Sequence, residues 1–482
     1  MPASIAIQLR SDMPTLLRDI AVELKARLGC AVHGYAGSPD QVGFFVGQNA
    51  DGVYDTITEA ASPLRALGER LPPRGEIVAT ARGYEEKLGC TYNRLAVGNR
   101  HFGRGYALLG PGHPRSRYSE RSRYLHLLHG FNRVFQFWES EIAAKRLDLV
   151  LGASTELALI ARAHQVPYRG LFGARHRNLH YWGHDEFCAA PAVEARYRAL
   201  VEAGADGLDI TEPYALATQN HERMAAGTTL PRTLARIGVH GLKVMKWRTL
   251  GYEKGRGYYY RDEAALMLRR WRDWRRLNGP DVRRLAALGD ARFVFFPLQT
   301  EPETSIHQGS PEHFFQHAAL AALARDLPAG HLLAVKETPF GIGRRPPGFY
   351  DQVAALKNVV WLAVDERGFD VVKRADAVAT IVGTAGFEAA ALGKPVISFG
   401  RHNSYGFLPH VFVVGDEARL KDIVAEALSP GFDHGAAARA GRRFVRAVAD
   451  TSFDLGAYDY RTKGNHTPEA VRTCVDHLLA TL

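Results

Sequence analysis

No apolar run in this 482-residue chain approaches the roughly 20 residues that a membrane-spanning helix needs. The first residues, MPASIAIQLRSDMPT, lack the charged n-region and long apolar h-region of a secretory signal. The expectation is therefore a cytoplasmic protein. Cysteine is scarce: Cys30, Cys90, Cys188 and Cys474 are the four, and no two stand at CxxC spacing. Neither a disulfide framework nor a zinc site is indicated, and structural thiols are the simpler reading. A GxGxxG is missing after the first apolar run, where the chain reads Arg10-Ser11-Asp12. A dinucleotide fingerprint is thus absent there. No DxD pair follows a strand-like run in the second half, so no part of the pattern calls for a divalent metal. Internal repeats and low-complexity tracts are also missing.

What is present fits a globular protein with 46% hydrophobic and 23% charged residues. The length points to two domains of roughly 200 residues each. The formal net charge is +10, which favours anionic substrates, anionic lipid or nucleic acid. Part of it is concentrated in Arg269, Arg270, Arg272, Arg275, Arg276, Arg283 and Arg284, with Trp271 and Trp274 among them. A solvated helix face explains such a segment, as does docking on anionic lipid headgroups. No nucleic-acid-binding module accompanies it, so no nucleic-acid partner is expected.

The chain opens as β-α-β: an apolar run at Ser4–Leu9, a helical pattern over Met13–Leu28, and a second run at Cys30–Tyr35. Ala96–Tyr118, rich in Gly, Arg and His, reads as an irregular segment suited to a site loop or lid. A helix is expected over Tyr124–Lys145 and a strand over Leu147–Leu151. Gly152-Ala153-Ser154-Thr155-Glu156 and a helix from Leu157 to His164 follow. A strand, a small-residue turn and a helix start form an anion-binding geometry. Glu156 there either complements the helix dipole or contacts substrate. After a strand at Pro167–Phe172 comes GARHRNLHYWGHDE. Its Arg175, His176, Arg177, His180, His184, Asp185 and Glu186 admit three readings: a site loop for an anionic sugar or phosphate, a polar surface loop, or a metal site with the histidines four apart on a helix. Ala190–Ala226 reads as largely helical and Leu242–Tyr260 as mixed. Asn278-Gly279-Pro280 breaks the chain within an interdomain stretch placed at Leu277–Asp290.

The second half is organised around apolar runs alternating with helical segments. The runs are Phe293–Leu298, Leu332–Val335, Val359–Ala363, Ala377–Val382 and Val396–Phe399. Strands apolar throughout argue for a parallel sheet covered on both faces. Ligands bind such sheets beyond the carboxyl ends of the strands. Polar residues gather at those ends: Gln299 and Glu301, Lys336 and Glu337, then Gly383-Thr384 with Glu388. In GTAGFEAAALGKPVISFG, Gly383 permits a turn, Thr384 can cap the helix or donate to a phosphate, and the helix amino end favours an anion. Glu388 lies one turn in, on the face toward the crevice, where it suits a sugar or ribose hydroxyl pair. A carboxylate in an AAAL helix is costly without a partner. The expected architecture is α/β, with two Rossmann-like domains facing across a cleft. The divisions are 1–277, 291–430, and 431–482 as C-terminal helices packing back across both.

GTAGFEAAALGKP is similar to the G-[ST]-x-G-x-E-A-x-x-x-G-x-P pattern of GT-B glycosyltransferases. Together with FFPLQTEPETSI and LLAVKETPFGIGRR, it resembles the capsule polysaccharide synthesis family over Phe293–His410, about a quarter of the chain. That family includes retaining β-Kdo transferases that use CMP-Kdo and build the lipid linker of bacterial capsules. The resemblance implies donor binding by Gln299, Glu301, Lys336, Glu337, Thr338, Arg344, Gly383, Thr384 and Glu388. Thr338 stands where the family has a histidine before proline, a residue that contacts the nucleotide phosphate. Lys336 or Arg344-Arg345 could take over neutralisation.

The resulting expectation is a metal-independent glycosyltransferase of capsular or surface polysaccharide synthesis, with no cofactor beyond its nucleotide-sugar donor. Its acceptor is a glycan or glycolipid, and contact with the inner face of the inner membrane is peripheral. The acid, base or nucleophile should come from the first domain, from among Glu156, Asp185 and Glu186. A covalent retaining route needs one of them to reach the anomeric carbon. The alternatives are a sugar-nucleotide 2-epimerase and a non-catalytic assembly subunit.

Overall fold

The computed structural model describes residues 1–482 except 100, 102–111, 213–228, 252–256, 302, 304–305, 307–308, 314 and 456–464. Residues 100 and 102–111 of the Gly/Arg/His-rich segment from Ala96 lie outside the described residues, as do residues 213–226 of the stretch read as helical from Ala190, whose described part is a helix only over Pro191–Glu202. Two sheets organise the rest. The first holds β1 (Ser4–Gln8), β2 (Ala31–Ala36), β3 (Thr56–Glu59), β4 (Leu149–Leu151), β5 (Tyr168–Gly173), β6 (Leu179–Gly183) and β13 (Phe453–Asp454), in the order β13-β6-β5-β4-β1-β2-β3. β1 to β5 pair in parallel, whereas β6 and β13 run antiparallel to their neighbours. The second holds β7 (Arg292–Pro297), β8 (His331–Lys336), β9 (Val359–Leu362), β10 (Ala377–Thr380), β11 (Val396–Ser398) and β12 (Val411–Val413), all parallel, in the order β12-β11-β10-β7-β8-β9. Read from its other edge, this is the Rossmann strand order. The fold is thus two Rossmann-like sheets with helices around them.

The side-chain alternation of a strand explains why both sheets are buried on two faces. In β1, Ile5 and Ile7 join one core with the helices Pro14–Leu28 and Pro468–Leu479. Ala6 faces a second core under Arg74–Leu88, Tyr124–Lys145 and Thr155–Ala163. In β7, Phe293 and Phe295 enter the core with Thr384–Ala391 and His434–Thr451, whereas Val294 and Phe296 enter that with Gln316–Asp326 and Leu420–Ala427.

The end of the chain returns to the first sheet. β13 extends it, and Trp182 Nε1 donates to Cys474 O at 2.9 Å in the last helix. The His434–Thr451 helix crosses Thr384–Ala391 closely: a Cβ on Gly441 would stand 2.6 Å from Ala391 O. Glycine is what allows that approach.

Three elements differ from the sequence reading. Thr56–Glu59 is a strand at an edge, too short to show periodicity. Leu179–Gly183 is a strand, so His176, His180 and His184 share no helix face. His180 Nδ1 instead donates to Asn178 O at 2.8 Å, and no group of three or more His, Cys, Asp or Glu able to hold a metal ion occurs among the described residues. Leu230–Thr249 is one continuous helix where a mixed stretch was expected from Leu242. No described helix is long and apolar enough to cross a membrane.

Candidate functional site

In a sheet of this order the ligand crevice opens where neighbouring crossovers diverge, here between β7 and β10. Gln299, just past β7, bridges the gap. With its amide oriented to accept, its side-chain oxygen takes the N–H of Val382 at 3.1 Å and also that of Gly383. Gly383 stands before the Thr384–Ala391 helix, and no side chain caps that helix. Thr384 is therefore its first residue rather than its cap, and the first-turn amides have no partner within the helix. Gly386 makes the turn compact: a Cβ there would lie 2.2 Å from the Tyr405 hydroxyl and 2.7 Å from Thr380. Tyr405 is fully buried, and burial pushes its phenol up to about 12. No motif marked it in the sequence.

Beneath the crevice lies a network of buried charge. Arg345 Nε and Nη2 donate to the two oxygens of Glu337 at 2.7 Å each, Nη1 to Glu301 at 2.8 Å, and Nη2 to Gln299 O at 2.7 Å. Glu337 also accepts from Tyr350 at 3.1 Å and from Thr338 N at 2.8 Å. Glu301 accepts from the Gln316 side chain at 2.7 Å. The Arg345 and Glu337 side chains are 1% and 0% exposed. The two acids raise the Arg345 pKa against the opposing cost of burial. Glu301 and Glu337 are thus held by protein partners, and their geometry is that of a scaffold for the strand ends. Arg344, half-buried, offers its carbonyl to Gly112 N. Thr338 is half-buried at the rim.

Two buried charges stand apart from this scaffold. Lys336, at the end of β8, is 7% exposed and desolvation pushes it down to about 8. Glu388, one turn into its helix, is 5% exposed and desolvation pushes it up to about 8. Neighbouring charge partly compensates each, chiefly Glu337 for Lys336 and Arg175 for Glu388, with the two opposing each other's shifts to a smaller extent, yet among the described residues neither side chain makes a hydrogen bond or an ion pair. Arg175 arrives from the first half of the chain, between β5 and β6, in the left-handed region at φ 59°. Its Nη1 donates to Val382 O at 3.1 Å, and its charge opposes the upward shift of Glu388. The sequence left Arg175 in a segment with three readings, a site loop, a polar surface loop or a metal site.

The first-half carboxylates have different surroundings. Asp185 Oδ1 accepts from Phe187 N and Ala189 N, both at 2.9 Å. Glu186 is paired with Arg162 through bonds of 2.8 and 3.0 Å, its side chain 4% exposed. Both shape a turn whose Phe187 stacks on His402, centroids 3.7 Å apart, across to the second sheet. Glu156 lies at the switch point of the first sheet, beyond β4, where Gln8 accepts from Ala153 N at 2.8 Å. Ser154 caps its helix. Burial raises the Glu156 pKa, against its own backbone N–H, which lowers it.

Chemically, the β7–β10 crevice is a site whose charge depends on two groups titrating near the same pH. Below about 8, Lys336 is a cation and Glu388 a neutral donor and acceptor. With Arg175 and the uncapped helix end beside them, this is an environment for an anion adjoining a hydroxyl-rich group.

Residues 219–407 match the model of the capsule polysaccharide biosynthesis protein family. That stretch is under half of the chain. It contains β7 to β11, the Lys336–Glu388 crevice and the whole Arg345 network, and it begins well before Phe293, taking in the Leu230–Thr249 and Tyr260–Arg276 helices. No curated protein sequence matches the chain significantly. Among solved structures it is similar to HepE of Anabaena in complex with UDP-glucose, at 13% identity over 99% of this chain and 100% of that one, TM-score 0.32. It is similar to a beta Kdo 2,4 transferase, KpsC of Thermosulfurimonas dismutans, at 18% identity over 58% of this chain and 79% of that one, TM-score 0.30. A third is a UDP-N-acetylglucosamine 2-epimerase from Listeria monocytogenes, at 11% identity over 93% and 94%, TM-score 0.29.

The matched stretch also contains the basic Trp-bearing helix. Arg269 and Arg270 bond the carbonyls of Gly112, Ile342 and Gly343, and Arg276 pairs with Asp351. This helix buttresses the loop that carries Arg344 and Arg345, which explains most of its arginines without an external ligand.

Proposed function

We propose that the chain is a glycosyltransferase of capsular or surface polysaccharide synthesis. A nucleotide-sugar donor sits in the β7–β10 crevice, and a glycan or glycolipid acceptor lies against the first sheet. The observation that carries this reading is the pair of buried, mutually unbonded ionisable side chains Lys336 and Glu388 at the switch point. A site of that kind is stable with a ligand that supplies an anion to one and hydroxyls to the other. Departure of a nucleoside phosphate builds negative charge, and Lys336, Arg175 and the amino end of the Thr384–Ala391 helix are placed to stabilise it. Lys336 and Arg175 take the part of the histidine that Thr338 replaces, which keeps CMP-Kdo as the donor to try first. Glu388, neutral at pH 7, holds a sugar or ribose hydroxyl pair.

On the acceptor side Glu156 is the carboxylate we assign to proton abstraction or nucleophilic attack. Asp185 and Glu186 are already engaged by protein partners, and burial raises the Glu156 pKa above its ordinary value, which makes its carboxylate more basic. The test is product analysis with a panel of sugar nucleotides, with and without glycan acceptors. The reading expects transfer only with acceptor, and loss of at least about 100-fold in turnover for Lys336→Ala. Isomerised donor in the acceptor-free arm would replace it with the epimerase reading.

A further inference from the structure

The Leu230–Thr249 helix buries almost nothing: of its 20 residues only Thr233 is buried. One face rests on the Tyr260–Arg276 helix, where Tyr260 donates to Ile237 O at 3.0 Å and His240 Nε2 meets Glu263 at 2.6 Å. The opposite face is apolar. Leu234, Leu242 and Met245 are 53%, 64% and 59% exposed. At positions i, i+8 and i+11 they form a single outward stripe. The helix carries Arg232, Arg236, Lys243, Lys246 and Arg248 and no Asp or Glu. Arg232, Arg236 and Lys243 line a crevice of about 470 Å³ beside the stripe, closed by Met267.

A merely solvated helix has no reason to expose leucines this fully, and scattered apolar residues would not align. A second copy docking face to face would set this unbalanced positive charge against itself. An acyl-chain boundary beneath a layer of phosphates meets both halves of the pattern. We propose that Leu230–Thr249 lies in the plane of an anionic phospholipid surface, with the Leu234–Leu242–Met245 stripe among the acyl chains and Arg232, Arg236 and Lys243 on lipid phosphates. This assigns a named element to the peripheral membrane contact of the functional reading, and moves it away from the basic Trp-bearing helix. It is tested without donor, acceptor or turnover, so either idea can fail alone.

The experiment is co-sedimentation of the full chain with vesicles of phosphatidylcholine alone and of phosphatidylcholine with about one third phosphatidylglycerol, near 0.1 M salt and again near 1 M. Binding should be confined to the anionic vesicles and should weaken at high salt. Leu242→Glu with Met245→Glu should lower the partition coefficient by about ten-fold or more. Arg232→Gln, Arg236→Gln and Lys243→Gln together should do the same. Because all these side chains are outward, unfolding temperatures should stay at the wild-type value. Absence of binding to anionic vesicles would overturn the proposal, as would binding indifferent to the two glutamates. A dimer that those glutamates dissociate, with no vesicle binding, would reassign the face to a second copy.

Discussion

Replacing Arg345 with methionine should unfold the second sheet's site before it affects any ligand. The arginine is the sole cation bonding both Glu301 and Glu337 among the described residues, through four bonds counting that to the Gln299 carbonyl. Methionine fills comparable volume, so the cost is electrostatic rather than a cavity. It leaves two buried carboxylates without their counter-charge. Breaking a buried pair from one side costs about 3–5 kcal/mol. Glu337, already without solvent contact, sets the upper end. For a cooperative unit of the size of the second sheet and its helices, each kcal/mol moves Tm by roughly 2–4 °C. The expected fall is therefore about 6–20 °C in the transition of that unit. Differential scanning calorimetry resolves it, and urea titration of the same variant gives the free energy. A second variant isolates the cause. Glu301→Gln and Glu337→Gln added to Arg345→Met remove the stranded charges and should restore at least half the loss. A fall below about 1 kcal/mol for Arg345→Met alone would refute the scaffold role, as would a triple variant no more stable than the single one.

The remaining predictions concern the crevice. As pH rises through about 8, Lys336 loses its proton and Glu388 loses its own. The Lys336–Glu388 pair then swings from one net positive charge to one net negative while Arg175 stays charged, so affinity for an anionic nucleotide should fall across that window, with a slope approaching about two decades per pH unit in log Kd. In Glu388→Gln the slope should drop to about one decade, measured by isothermal titration; an unchanged slope would contradict the assignment. Gly386→Ala forces a methyl against the Tyr405 hydroxyl; a loss of about 1–3 kcal/mol in stability is expected, with weakened nucleotide binding, and wild-type behaviour in both would show that the turn yields. Since neutralisation is assigned to Lys336 and Arg175, turnover should survive excess chelator, and its abolition with recovery on adding a divalent ion would reassign that role.

Much of the second half was legible because its strands are buried on both faces. A fully buried strand must be apolar at every position, so Phe293–Leu298 and Ala377–Val382 announce themselves. The burial of Glu388 was legible for the converse reason: a carboxylate in an AAAL helix is costly without a partner, whereas Lys336 was marked only by its place at a strand end and by the family resemblance. The separation of scaffold from crevice was not legible. Glu301, Glu337, Lys336 and Glu388 look alike in sequence, and only the reach of Arg345, eight residues past Glu337, divides them. Tyr405 was missed, and Arg175 was left among three readings of its segment, for a related reason. Their roles depend on a hairpin and a loop folding against Val382 and Gly383, contacts far apart along the chain. The Leu230–Thr249 helix escaped because its apolar stripe has no core to face, so its pattern of leucine and arginine did not resemble a packed helix.

The most direct test of a nucleotide-sugar site is thermal unfolding of the wild type and of Lys336→Ala with CMP, UDP, GDP, dTDP and their sugar conjugates. A nucleotide at a hundred times its Kd should stabilise the wild type by about 2.7 kcal/mol, a shift of several degrees. The account predicts such a shift for one nucleotide class at pH 7, and its disappearance in Lys336→Ala. No shift with any of them, or an equal shift in the variant, would contradict it.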